Sequence, residues 1–209
     1  MDAPDGFPLF HDTVVHMLDD AARRSPDATA ASFDGIDLTY RQYVSGVGAL
    51  AGRLINLGAA GERVALFMGN SLDMAIAMFA VHAAGAQAVP LNPLYTAREA
   101  EYILRDSAPV ATIYDAVLEE TVRSLPDAGI LIDSDGTSFV DRSADTEDLL
   151  PTPLPDPDSL ATLQYTGGTT GYPKGVNITH RQMSVNISQR EAILPTAPDA
   201  ESIVCVMPL

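Results

Sequence analysis

Basic residues are scarce in this chain. Twelve lysines and arginines stand against 28 aspartates and glutamates, which leaves a formal net charge of −16 over 209 residues. Lys174 is the sole lysine; the other basic residues are arginines. A nucleic-acid duplex or an anionic membrane repels such a field, and the Lys/Arg patches that neutralise phosphates are missing. The composition therefore argues against general nucleic-acid binding. Cysteine is almost absent too: Cys205 stands alone, so no disulfide forms within the chain, as suits a reducing cytoplasm. Long hydrophobic runs are lacking. The most apolar stretch, residues 72–91, is interrupted by Asp73, His82, Gly85, Gln87 and Pro90, whereas a membrane span needs about 20 predominantly apolar residues. The N-terminus has no apolar signal segment and carries Asp2, Asp5, Asp12, Asp19 and Asp20 instead. A soluble, cytoplasmic protein with no membrane span is expected.

What is present suffices for a core. Hydrophobic residues make up 46% of the chain, with 15 glycines and 15 prolines, and a chain of this length hides about 70% of its unfolded surface. Residues 13–24 read as an amphipathic helix that Asp12 can cap and Pro26 stops. Apolar runs on either side of Asp34-Gly35 read as a hairpin. Thr39-x-x-Gln42, Thr96-x-x-Glu99 and Thr179-x-x-Gln182 each match the capping box, in which hydroxyl and side-chain carbonyl satisfy two orphan amides reciprocally. After the first of these helices, with Gly58 as its stop, the periods alternate. Val64–Met68 is strand-like; a helix capped by Asn70 or Ser71 runs to about Ala84. Ala86–Leu91 is strand-like, Ala97–Asp106 helical, and Val110–Tyr114 strand-like. This alternation predicts an α/β fold, a parallel sheet layered with helices. Residues 1–132 form the first α/β subdomain on this reading. Residues 133–158, with eight acids and the proline-rich run 151–157, form a solvated connection with one edge strand at Ser138–Val140. A strand from Leu160 then opens the segment 159–209. The apolar, strand-like residues 204–209 end the chain without cap or polar tail, so a fragment of a longer protein is expected.

The strongest chemical signal is the run from Tyr165 to Gly175, YTGGTTGYPKG. A buried strand feeds a loop containing four glycines, three threonines and the only lysine. Gly167, Gly168 and Gly171 let backbone amides approach an anion closely and adopt positive φ. Thr166, Thr169 and Thr170 offer hydroxyl donors to phosphate oxygens, Lys174 supplies a compact positive charge, and Pro173 restricts the loop. A flexible linker has no need of a lysine. The run is not a Walker A loop, because Pro173 precedes and Gly175 follows the lysine.

It resembles the phosphate loop of the adenylate-forming superfamily, which comprises acyl-CoA synthetases, peptide-synthetase adenylation domains and luciferases. That family usually has Ser where this chain has Gly167; glycine there is similar to bacterial long-chain fatty acyl-CoA ligases. The likeness extends over nearly the whole chain: Leu38-Thr39-Tyr40, Gly61–Leu66 through Asn70-Ser71 (with Glu62 for the usual Asp), Gly85-Ala86, Val89–Pro93 and Thr179-His180. It implies that the chain is the first part of the large N-terminal domain of such an enzyme. The implied activity is ATP-dependent acyl-adenylate formation followed by thioester formation with coenzyme A, on a fatty acid, with Mg²⁺ accompanying the nucleotide. Thr166, Gly167, Gly168, Thr169, Thr170, Gly171 and Lys174 would bind the phosphates, with Lys174 and Thr170 in catalytic roles and no protein-held metal. The adenine-binding loop, ribose-binding Asp, hinge and C-terminal catalytic Lys of the family are absent from these 209 residues, so the chain alone is expected to be inactive. Two alternatives stay open: an adenylating enzyme that loads a carrier protein instead of coenzyme A, and a noncatalytic nucleotide-binding module.

Other candidates read as structural. Gly46-x-Gly48-x-x-Ala51 fits the dinucleotide fingerprint formally, but it lies within a helix that no strand precedes, so close packing against a neighbour is expected. His11 and His16 do not share a helix face, and no further ligand completes a metal set. His82 reads as a core residue and Cys205 as a small apolar one in a strand. His180 opens the helix after the loop, which allows either a place near the nucleotide or a role in the capping region.

Overall fold

The computed structural model describes residues 11–134, 139–140, 149–167, 173–197 and 201–205. The first helix, α1 (Val14–Arg24), is capped by Thr13, whose Oγ1 accepts from His16 N at 3.2 Å; the expected cap Asp12 lies one residue too early. A hairpin follows, β1 (Thr29–Phe33) and β2 (Ile36–Thr39), turning through Asp34-Gly35 with Phe33 opposite Ile36. Helix α2 (Tyr40–Asn56) then leads into β3 (Arg63–Phe67), α3 (Leu72–Ala83), β4 (Gln87–Leu91), α4 (Ala97–Ser107) and β5 (Ala111–Asp115). A 3₁₀ turn at Ala116–Leu118 runs into the short α5 (Glu119–Ser124), and β6 (Ile130–Ser134) follows. The last elements are β7 (Leu160–Thr166), β8 (Lys174–Thr179) and α6 (His180–Ile193).

Local chemistry sets the boundaries. All three capping boxes form, with the side chains of Gln42, Glu99 and Gln182 accepting from the backbone N–H of Thr39, Thr96 and Thr179 at 2.8–2.9 Å. Such caps contribute about 1 kcal/mol each. Ser71, not Asn70, caps α3, accepting from Met74 N at 3.0 Å. Helices α2 and α3 both end on a glycine of positive φ, Gly58 at 79° and Gly85 at 69°. In each case the next amide reaches back to close the last turn, Ala59 to the Leu54 carbonyl and Ala86 to that of Val81.

The strands form one six-stranded sheet in the order β6-β5-β3-β4-β7-β8, parallel except for β8, which is antiparallel to β7. The central strand β3 explains the apolar run that marks it. Val64 and Leu66 face a core cluster with α1, α2 and α3, while Ala65 and Phe67 face a second cluster with α4 and Val122 of α5. All four are fully buried, as a strand covered on both faces requires.

The connection after β6 departs from expectation. Phe139 and Val140 are helical rather than an edge strand, and the fully buried carboxylate of Asp73 holds them. Its Oδ1 accepts from Phe139 N (3.2 Å) and Val140 N (3.3 Å), and its Oδ2 accepts from Ser134 Oγ (2.8 Å). Phe139 also borders a cavity of about 90 Å³ with Gly46, Ala49, Leu50 and Arg53 of α2. At the other end, residues 201–205 form no helix or strand and Cys205 is exposed, which corrects its reading as a core residue; residues 206–209 lie outside the described part. No helix among the described residues is long and apolar enough to cross a membrane.

Asp73→Ala removes the acceptor of three donors at once, two of them buried, and the variant should lose about 3 kcal/mol of folding free energy in a urea titration. A change below about 1 kcal/mol would show that the carboxylate is not the anchor of Ser134, Phe139 and Val140.

Candidate functional site

The glycine–threonine loop hangs from the β7–β8 hairpin. Its two strands register Thr166 opposite Lys174 and Tyr165 opposite Gly175. Thr166 Oγ1 lies 3.5 Å from the Lys174 carbonyl, and both residues are exposed. Two of the expected phosphate ligands, eight positions apart in sequence, thus meet at the root of the loop. Gly167 follows, with no described atom within 4 Å of where a Cβ would stand and without the positive φ expected of it. Gly168, Thr169, Thr170 and Gly171 lie outside the described residues.

Gly175 has a role that the sequence did not reveal. A Cβ there would come within 2.9 Å of Leu163 Cδ1 and 3.4 Å of Tyr165 Cζ. Those two side chains lie against its bare backbone and pack the strand that leads into the loop. Tyr165 is buried, and its hydroxyl donates to Asp106 Oδ2 at 2.5 Å. Burial, then the bond to Asp106, push the phenol well above its ordinary pKa. This partner, 59 residues away, carries no motif and was not anticipated.

The histidines sit elsewhere. His180 is the first residue of α6, at the far end of β8 from Lys174, and a six-residue strand spans roughly 20 Å. It therefore lies away from the loop, fully buried, its ring 5.2 Å from that of His82 in an edge-to-face pair. His82 Nε2 is 3.3 Å from Thr162 Oγ1. His82 Nδ1, both ring nitrogens of His180 and Ser184 Oγ have no hydrogen-bond partner among the described residues. Burial, followed by the charge of the neighbouring His180, lowers the His82 pKa to about 3, against the opposing pull of the Ala161 backbone. Burial, followed by His16, lowers that of His180 to about 4. His11 pairs with Asp20 (3.7 Å), and His16 lies 2.8 Å from Thr13 Oγ1. Among the described residues no group of three or more His, Cys, Asp or Glu can hold a metal ion.

A hairpin that presents a hydroxyl and an ammonium group at the mouth of a glycine-rich loop, on the edge of a mostly parallel sheet, is an arrangement suited to a polyphosphate. Comparison with known proteins agrees in family. The pattern of the AMP-binding enzyme family matches residues 18–209. The chain belongs to that family. Among AMP-binding relatives, a long-chain-fatty-acid–CoA ligase of Bacillus subtilis is 34% identical, the match covering 99% of this chain and 44% of the ligase. Phosphinothricin tripeptide synthetase PhsC of Streptomyces viridochromogenes is 37% identical over 83% of this chain and 16% of its own length. The inhibitor-bound N-terminal domain of FACL13 from Mycobacterium tuberculosis superposes with a TM-score of 0.70 at 32% identity, covering 80% of this chain and 44% of that one. The chain thus spans less than half the length of each of these three proteins, which include both a ligase and a peptide synthetase.

The buried histidine pair makes stability depend on pH. Both folded-state values lie below the ordinary 6.5, so the unfolded chain takes up protons first as pH falls. Stability should be full above about pH 6.5, fall progressively toward pH 4 and 3, and level off below. His180→Leu removes one such group, and should shift the acid-unfolding midpoint, followed by circular dichroism, to lower pH. An unchanged midpoint would mean that His180 is not held neutral by burial.

Proposed function

We propose that this chain carries the nucleotide-phosphate grip of an enzyme that activates carboxylic acids with MgATP, and that the complete enzyme joins a fatty acid to coenzyme A. The observation that supports the grip is the opposition of Thr166 and Lys174 at the root of the loop. Lys174 and Thr170 would act on the reacting phosphates. Thr166, Thr169 and the amides around Gly167, Gly168 and Gly171 would hold the β- and γ-phosphates. Hydroxyls, amides and one ammonium group suit phosphate oxygens rather than a resident metal, so Mg²⁺ enters with the nucleotide as part of the substrate.

A carboxylate is a poor electrophile because its charge and resonance resist attack. In the proposed reaction its oxygen attacks the α-phosphate of ATP; the new O–P bond forms as the bond to the β-phosphate oxygen breaks, and pyrophosphate leaves. The thiol of coenzyme A, giving up its proton, then displaces AMP from the acyl carbon. Preference for a fatty acid is supported by Gly167 and by the likeness to the Bacillus ligase. A second reading keeps the adenylation and hands the acyl group to a carrier protein, and the likeness to a tripeptide synthetase favours it. The expected location is the cytoplasm, where MgATP and coenzyme A are available.

The purified chain should bind MgATP, and Lys174→Ala should weaken that binding at least tenfold without changing the melting temperature, as measured by titration of backbone amide resonances. Equal affinity in the variant would contradict the grip. Supplied with fatty acid, MgATP and coenzyme A, the chain by itself should release no pyrophosphate; release in a coupled assay would show that the residues on this chain complete an active site.

A further inference from the structure

The hairpin that carries the loop has a slender main-chain tie to the rest of the sheet. Strand β7 is registered with β4 at Ala88–Thr162, and among the described residues β8 pairs only with β7. Side chains make up the difference, and they converge on one place. From β7, Tyr165 Oη donates to Asp106 Oδ2 at 2.5 Å. From β8, Asn177 Oδ1 accepts from Gln87 Nε2 at 2.8 Å; Gln87 Oε1 accepts from Arg63 Nε at 3.1 Å; Arg63 Nη1 donates to the Ser107 carbonyl at 2.9 Å. Asp106 and Ser107 are the last two residues of α4. Each arm of the hairpin is therefore tied, by its own route, to the same helix end.

That helix end is itself well fixed. Ile103 and Leu104 are fully buried, the Ser107 hydroxyl donates to the Ile103 carbonyl at 2.7 Å, and Ala108 N donates to that of Leu104 at 2.8 Å. Tyr165 adjoins Thr166, the first residue of the loop's mouth, and faces Gly175, which adjoins Lys174. A side chain locked at this point determines where the hydroxyl and the ammonium group stand.

We propose that the last turn of α4 is the mount of the phosphate loop and that Asp106 is a positioning residue, acting through Tyr165 to set where Thr166 and Lys174 meet a nucleotide's phosphates. The proposal rests on the phosphate-binding reading above. It assigns a function to a carboxylate far from the motif that never touches the substrate. Small misplacement of a binding group is costly, so the effect on affinity should exceed that on the fold.

The test titrates the chain with MgATP, following backbone amide resonances, and measures amide hydrogen exchange in the same samples. Asp106→Ala and Tyr165→Phe should each weaken MgATP about tenfold, and the double variant should be no weaker than either. Asp106→Asn, whose amide oxygen still accepts the Tyr165 hydrogen, should stay within about twofold of the wild type. Exchange at Thr166 and Gly175 should quicken in Asp106→Ala and Tyr165→Phe, with Leu66 and Ile113 unchanged. Wild-type affinity and exchange in Asp106→Ala, or additive losses in the double variant, would overturn the proposal. If Asp106→Ala unfolds, the other two variants decide: quickened exchange in Tyr165→Phe but not Asp106→Asn supports the mount, and equal exchange rejects it. Failure of the underlying reading looks different. Wild-type resonances of 166–175 that ignore MgATP would reject the grip, and exchange alone would then judge the mount.

Discussion

A loop that grips phosphates works only as well as its two ends are held, and here both ends depend on the pairing of β7 with β8. That ladder puts Thr166 beside Lys174 and lays Tyr165 and Leu163 over the bare backbone of Gly175. Pairing of this kind fixes the distance between the ends but not the orientation of the hairpin, which flanks the sheet beyond β4. Orientation comes from polar side chains that reach back to the end of α4.

The platform beneath has little freedom to yield. Strand β3 is packed on both faces, and alternate residues belong to different clusters, so a shift of one side chain is felt on both sides of the sheet. Where the core takes in polar groups it treats them in two ways. Asp73 accepts from Ser134, Phe139 and Val140 and ties them to the start of α3. His82 and His180 face each other with three ring nitrogens lacking a hydrogen-bond partner among the described residues, and burial favours their neutral forms. The first arrangement anchors a connection by hydrogen bonding; the second makes the α3–α6 contact sensitive to acid.

Much of this was legible in the sequence, for identifiable reasons. Capping boxes declare themselves by spacing, and all three formed. Continuous apolar runs such as Val64–Phe67 signal a strand covered on both faces. Where signals were short or mixed the reading was incomplete. Strand β6 is Ile-Leu-Ile followed by Asp and Ser and merges with the acidic stretch, α5 has only six residues, and β8 is hidden by the glycine and asparagine within it and by the proline just before it. At the site, the loop motif was plain, and Thr166 and Lys174 meet as the hairpin closes. The bond from Tyr165 to Asp106 was invisible because it joins residues 59 apart through tertiary packing, and a lone aspartate near a helix end looks like any solvated charge. His180 sits beside a family motif in sequence but a strand's length from the loop in space.

The chain belongs to the AMP-binding family, and the task proposed for its hairpin is to hold a nucleotide's phosphate tail so that the α-phosphate is open to a carboxylate. On the proposed reading, that task falls to the β7–β8 loop and its mount. The measurement that bears on it most directly is a map of backbone amide shifts in this chain as MgATP is added. The largest shifts should fall on residues 166–175, with smaller ones at Asp106 and Ser107. Shifts concentrated elsewhere, with 166–175 unmoved at saturation, would contradict it.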